Sequence, residues 1–132
     1  MSRRTYTTAT RSRSASRAAF GDPDAPANER VGLLFAQLAA REPEPSVRQV
    51  RGVLEFDVDG AGRWYATLAD GRLSLEPSAL RADCVIGCGA QDLVEVATGR
   101  RNLLTTFLQG RATCAGDVAL ALAFQRLLPL VP

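Results

Sequence analysis

Two glycine-containing turn sequences constrain the fold of this 132-residue chain more than any other feature. Apolar and polar residues alternate over 54–58, and the sequence from Asp59 to Gly62 is typical of a β-hairpin loop. A second alternating stretch, 64–68, ends at the turn sequence Asp70-Gly71, and alternation resumes over 73–75. Because alternation places one face of each strand in a core, the pattern predicts three antiparallel strands that form a meander.

Helical patterns lie on both sides of this meander. Apolar residues recur at helical spacing from about residue 27 to residue 41, where two prolines follow and end the helix. Glycines and capping residues divide the second half into short elements. They predict strands over 84–88 and 111–115, short helices over 90–98 and 103–109, and a final helix between Asp117 and Pro129. This order predicts an α+β domain in which helices pack on a sheet.

The absence of histidine excludes several kinds of chemistry. The chain has no His and no Lys, so neither a Ser-His-Asp triad nor a His-ligated metal site is available. We interpret the three cysteines as small buried residues. Cys84 and Cys88 lie about 13 Å apart along one strand and cannot bridge, whereas Cys114, on another strand, is free to approach one of them. The sequence therefore predicts a protein that is not an enzyme and holds no metal or cofactor.

The charge is divided between a tail and a body. Residues 1–20 carry five Arg and no acidic residue, whereas residues 21–132 carry 11 Arg against 14 acidic residues. Since residues 1–24 are rich in Arg, Ser and Thr and poor in apolar surface, we predict a disordered tail over 1–24 and a folded domain over 25–132. The basic tail predicts transient contact with anionic membranes. Because the body is mildly acidic, a nucleic-acid partner is not expected.

The last two helices are more apolar than a sheet-covering helix needs. The stretch 118–124 has no polar residue, and 103–108 shows the same excess. In the final helix Leu120 and Phe124 belong to one stripe, whereas Val118 and Leu122 lie off it. Three interpretations stay open from the residues alone, namely plain core packing, a self-association surface and a ligand cavity.

An ordered set of residues from about Val53 to Leu128 carries a family resemblance. Its spacing covers both turn sequences, the strand residues between them, and the glycines and capping residues of the second half. The set comprises Phe56, Asp59-Gly60, Trp64, Asp70-Gly71, Ala82-Asp83, Ile86, Asp92-Leu93, Gly99, Phe107 to Gly110 and Gly116-Asp117. With this set the chain resembles the sterol carrier protein-2 domain family.

The resemblance implies a five-stranded, mostly antiparallel sheet covered on one face by helices, with an apolar tunnel between the two layers. It implies non-catalytic binding or transfer of an apolar lipid of the sterol, fatty acyl or isoprenoid type. We expect apolar residues of the helices to line the tunnel, Trp64 to form its floor on the sheet side, and two arginines to lie near its mouth. The expected lining residues are Leu93, Val96, Leu103, Leu104, Phe107, Leu108, Leu120 and Phe124, and the mouth residues are Arg100 and Arg101.

The alternative function is a non-catalytic assembly, dimerisation or accessory domain for a partner enzyme. In that case the same apolar helices would bury against a second copy or an enzyme. No apolar run reaches the roughly 18 residues of a membrane span, and residues 1–24 lack the apolar core of a signal peptide. A cytoplasmic location is therefore the expectation.

Overall fold

The computed structural model describes residues 19–130, so most of the predicted tail lies outside the described residues. Within this range the chain forms four helices, five strands and two short 3-10 turns. The helices are α1 (Ala27–Ala40), α2 (Ala90–Ala97), α3 (Leu103–Leu108) and α4 (Val118–Arg126), and the strands are β1 (Gly52–Asp59), β2 (Gly62–Ala69), β3 (Arg72–Glu76), β4 (Cys84–Gly89) and β5 (Ala112–Gly116).

The five strands form one mixed sheet in the order β3-β2-β1-β4-β5. The pairs β1–β2, β2–β3 and β4–β5 are antiparallel, whereas β1 and β4 are parallel. The meander places β1, β2 and β3 side by side, and residues 77–83 then carry the chain back to the free edge of β1. The predicted fold class, a mostly antiparallel five-stranded sheet with helices, is confirmed.

An aromatic cluster joins the helices to the centre of the sheet. Phe56 on β1 is fully buried, and its ring centroid lies 4.9 Å from that of Phe35 on α1 and 4.9 Å from that of Phe124 on α4. The ring of Trp64 stacks on Phe35 at 5.4 Å. Aromatic pairs at these separations contribute beyond their buried area, so this cluster fixes where α1 and α4 lie on the sheet.

Asp83 connects three elements at one end of the sheet. Its carboxylate accepts a hydrogen bond from the Val53 amide at 2.8 Å, and its own amide donates to the Val53 carbonyl at 2.8 Å. Its carbonyl accepts from the amide of Asp117, the residue that caps α4. The starts of β1, β4 and α4 are therefore held together.

Phe20, which the sequence analysis placed in the tail, packs in the core of the domain. Phe20 is fully buried in the core, and its carbonyl accepts a hydrogen bond from Nε of the buried Arg30 at 2.9 Å. An aromatic side chain contributes enough apolar burial to order the residues around it. Phe20 thus packs with the domain, while the predicted disorder of 1–18 lies outside the described residues.

The turn at Gly71 is expected to be intolerant of any side chain. Its φ is +79°, and a Cβ placed there would lie 2.6 Å from the Glu44 carbonyl oxygen, because the Glu44 amide donates to the Gly71 carbonyl at 2.9 Å. Gly71→Ala should therefore lower the free energy of unfolding by about 2–4 kcal/mol, from left-handed strain plus overpacking.

Gly110→Ala is the matched control, since Gly110 has a φ of +77° with nothing within 4 Å of an added Cβ. It should cost only the strain, about 1–2 kcal/mol. Urea unfolding measures both variants, and equal losses would show that the contact with Glu44 does not matter.

Candidate functional site

An apolar cavity of about 200 Å³ opens between α3, α4 and the β4–β5 edge of the sheet. We call it the α3–α4 cavity. Its lining is mostly apolar, with polar residues at the ends of the two helices and on β5. The lining residues are Ile86, Asn102, Leu103, Leu104, Phe107, Ala112, Thr113, Cys114, Val118, Ala121, Leu122 and Gln125.

Small side chains leave the space that the cavity occupies. Ala112 and Cys114 on β5 and Ala121 on α4 line it where larger residues would have closed it. Ile86 on β4 is buried and lies directly opposite Cys114 in the register of the two strands. The sheet side of the cavity therefore has a firm apolar floor.

Two side-chain amides hold the walls in place. The Asn102 Oδ1 caps α3 by accepting from the amides of Leu104 at 2.8 Å and Thr105 at 3.3 Å. The Oε1 of Gln125 on α4 accepts from the Leu103 amide at 2.7 Å, which ties the first turn of α3 to α4. These amide oxygens are therefore engaged in the fold.

The rim of the cavity is also apolar. Leu104 is 53% exposed, and Phe107, Val118 and Leu122 are exposed to a similar extent. Large apolar residues grouped on one surface mark a binding site more often than chance. The exposed rim is therefore a candidate binding surface.

The predicted lining residues are divided between the cavity and the core. Leu103, Leu104 and Phe107 line the α3–α4 cavity. Four others, Leu93, Val96, Leu120 and Phe124, are buried in the main core instead. They fill the space between sheet and helices where the tunnel was expected, and the described residues show no tunnel there.

Two further predicted residues lie away from the cavity. Trp64 stacks on Phe35, and its indole Nε1 donates to the Ala61 carbonyl at 3.0 Å, so it serves the core below α1. Leu108 is 74% exposed and does not line the cavity, although it belongs to the same helix as Leu104. The exposed face of α3 thus continues beyond the rim.

The two arginines predicted at the mouth have other positions. Arg101 pairs with Glu95 and donates to Gln109 at 3.2 Å. Hydrogen bonds from Gln91 and Arg101 lower the pKa of Glu95 below its usual value. Arg100 lines a separate polar groove that also contains Arg30. Neither arginine lines the α3–α4 cavity.

The sequence interpretation missed the α4 wall. Val118, Ala121 and Leu122 line the cavity, and the sequence analysis names only Val118 and Leu122, as residues off the main apolar stripe. That second apolar face was the signal that could have found them, since a residue off the core stripe faces something else. The β5 residues Ala112 and Cys114 gave no such signal, because small residues in an edge strand are ordinary.

The cysteines differ in their surroundings. The thiols of Cys84 and Cys114 lie 3.5 Å apart on adjacent strands, and Cys84 is fully buried. Burial raises the pKa of Cys88 to about 12, with the nearby carboxylates of Asp92, Asp59 and Asp57 adding to the effect. Within residues 19–130, no group of three or more Cys, Asp or Glu is placed to hold a metal ion.

Residues 34–129 match the model of the SCP-2 sterol transfer family. The chain belongs to this family. It is 32% identical over 107 residues to sterol carrier protein 2 of Rattus norvegicus, an alignment that covers 74% of this chain and 20% of the rat protein. The chain therefore spans about a fifth of the length of that relative.

Solved structures share the fold at low identity. The sec-alkylsulfatase Pisa1 from Pseudomonas sp. matches with a TM-score of 0.66 and 21% identity, over 85% of this chain and 19% of the sulfatase chain. Palmitated SCP2L2 from Aedes aegypti matches with a TM-score of 0.57 and 19% identity, over 71% of this chain and 89% of that chain. The SCP-2 fold thus occurs both as nearly a whole chain and as a minor part of an enzyme.

In the part of this chain that the structure describes, no helix has the length and apolar character to cross a bilayer.

The role of the hydrogen bond from the Leu103 amide to the Gln125 side chain in holding the cavity wall can be tested. Gln125→Met keeps the size of the side chain but removes the acceptor, leaving a partly buried amide without its partner. We expect a loss of about 1–3 kcal/mol in stability and faster hydrogen exchange in the first turn of α3. Gln125→Glu keeps an acceptor oxygen and should retain slow exchange, so an equal effect of both changes would contradict this role.

Proposed function

We propose that the chain is a non-catalytic lipid carrier that holds the tail of a single-chain lipid, of the fatty acyl type, in the α3–α4 cavity. The observation that carries the proposal is the combination of an apolar lining with an exposed apolar rim. Half-exposed Leu104, Val118 and Leu122 face water around the opening. A bound acyl chain would remove this surface from water, at about 0.8 kcal/mol for each buried CH₂.

The size of the cavity favours a slender ligand. About 200 Å³ is below the roughly 300–1,000 Å³ of sites that enclose a drug-sized molecule. The fused rings of a sterol are bulkier than an acyl chain, and Leu120 and Phe124 close off the deeper space between sheet and helices. The palmitated SCP2L2 of Aedes aegypti supports the same ligand class.

Binding through apolar contact needs no charged partner. The Asn102 and Gln125 oxygens that face the cavity already accept backbone hydrogen bonds. An acyl tail forms no hydrogen bonds with these oxygens, whereas a ligand that donates to them would have to compete with the backbone amides they already bind. The carboxyl end of a fatty acid would remain at the rim, in contact with water.

Leu104 and Leu108 provide a matched pair of variants on one helix. Leu104 lines the cavity and is half-exposed, so Leu104→Asp should leave the domain folded but place a charge against the ligand. We expect palmitic acid to bind this variant at least tenfold more weakly, a difference of about 1.4 kcal/mol. Because Leu108 lies outside the cavity, the Leu108→Asp variant should bind palmitic acid as the unchanged protein does. Calorimetric titration with palmitic acid measures both, and equal binding by the two variants would refute this location.

A second candidate is an accessory or assembly domain, which exposed Leu108 favours because a ligand in the cavity does not cover it. The similarity of the chain to a minor part of a sulfatase supports this role. Native mass spectrometry separates the two functions. A monomer with co-purified lipid supports the carrier, whereas a lipid-free dimer that Leu108→Asp dissociates supports assembly.

The basic tail is proposed to attract the carrier to anionic membranes. Residues 1–18 contain five Arg and no acidic residue, and each Arg near an anionic surface contributes about 1 kcal/mol. Deleting residues 1–18 should weaken binding to phosphatidylserine vesicles at low salt and leave palmitic acid binding unchanged. Raising the ionic strength should remove the difference, and vesicle binding that survives the deletion at low salt would contradict this role. Sedimentation with the vesicles measures it.

A further inference from the structure

Two thiols meet at the floor of the α3–α4 cavity. Cys114 on β5 lines the cavity, while Cys84 on β4 is fully buried behind it, and their sulfur atoms are 3.5 Å apart. Both cysteines are free. A cavity that admits a small molecule therefore gives it access to one thiol of a close pair.

The strand register explains why these two thiols approach each other. Cys114 lies opposite Ile86, and Cys84 lies opposite Gly116, so the two cysteines are diagonal neighbours on one face of the sheet. Such neighbours are about 7–8 Å apart at the backbone, just beyond the distance that a disulfide spans without backbone movement.

A small shift of the edge strand β5 can bring the two sulfur atoms within bonding distance. A disulfide has a sulfur–sulfur bond of about 2.05 Å, so the two sulfur atoms must approach by about 1.5 Å. β5 is a five-residue edge strand that pairs only with β4. A small displacement of β5 therefore breaks no second ladder of hydrogen bonds.

We propose that Cys84 and Cys114 form a redox site, in which a peroxide that enters the α3–α4 cavity converts the two thiols to a disulfide. The Cys114 sulfur attacks one peroxide oxygen, the O–O bond breaks, and a sulfenic acid and one water form. The Cys84 sulfur then attacks the Cys114 sulfur, the S–O bond breaks, and the oxygen leaves as a second water with the Cys84 proton. Both thiols are oxidised and the peroxide is reduced, with all atoms balanced.

The order of the two steps follows from burial. Cys84 has no contact with solvent, and burial raises the pKa of its thiol, so it is a poor first nucleophile. Cys114 is partly exposed at the cavity and meets the oxidant first. Cys84 is then held against the sulfenic acid and resolves it.

The redox site also connects to the ligand. If the proposed lipid occupies the cavity, it covers Cys114 and blocks the path of the oxidant. The disulfide in turn draws the Cys114 sulfur away from the lining and changes the cavity floor. Ligand binding and oxidation should therefore oppose each other, a consequence that rests on the proposed function.

Trypsin digestion gives a direct assay on the full chain. Cleavage after arginine places Cys84 and Cys88 in the peptide 82–100 and Cys114 in the peptide 112–126. After treatment of the reduced protein with hydrogen peroxide, we expect the intact mass to lose two hydrogens and the two peptides to become linked. Dithiothreitol should reverse the link.

Cys88 supplies the matched control, because it shares a peptide with Cys84 but lies about 13 Å from it along β4. Cys88→Ala should leave the link intact. Cys84→Ala should abolish it and leave a sulfenic acid on Cys114 that dimedone traps. Cys114→Ala, at a partly exposed position, should also abolish the link without a change in fold. Failure of the link to form in the unchanged protein, or its survival in Cys84→Ala, would overturn the redox site.

A second arm tests the connection to the ligand. Saturating palmitic acid should slow formation of the disulfide at least several-fold, with occupancy checked by calorimetric titration. Unchanged oxidation at full occupancy would overturn the opposition between ligand and oxidant. Absence of palmitic acid binding would instead count against the proposed function, while the peptide link still decides the redox site.

Discussion

The contact of Phe56 with Phe35 and Phe124 governs how the layers of this protein fit together. Phe56 lies on the central strand, and the two other rings reach it from α1 and α4. These three side chains occupy the middle of the space between sheet and helices, so that region is filled. The α3–α4 cavity lies instead at the edge of the sheet, where α3 and the second face of α4 meet β5. The large aromatic residues thus exclude the candidate site from the middle of that space.

Most of the architecture was predictable because its signals are local. The turns at Asp59-Gly60 and Asp70-Gly71 determine the meander, and Asn102 and Asp117 cap their helices as the sequence indicates. The parallel pairing of β1 with β4 has no local signal, and the sequence analysis did not predict it. The two kinds of pairing differ in sequence separation. A hairpin is specified by the few residues of its turn, whereas a crossover joins strands that are far apart in the sequence.

The candidate site was harder to predict than the fold. In a helix that is apolar on every side, the sequence does not show which face meets the core. Leu120 and Phe124 were therefore placed in the lining, although their size lets them fill the core. Leu103, Leu104 and Phe107 were placed there as well and do line the cavity. The walls formed by Ala112, Cys114 and Ala121 depend on what small side chains leave open, which only the packed structure reveals.

The parallel pairing of β1 with β4 also affects the order of folding. The meander of β1 to β3 joins residues close in sequence, so its loop-closure entropy is small and it can form early. Pairing of β4 closes a loop of about 30 residues, from Leu54 to Cys84, and β5 can add to the edge of β4 only afterwards. The α3–α4 cavity needs β4, β5 and both helices, so it would be the last part to assemble. A nascent chain would therefore acquire its binding site only when nearly all of the domain is in place.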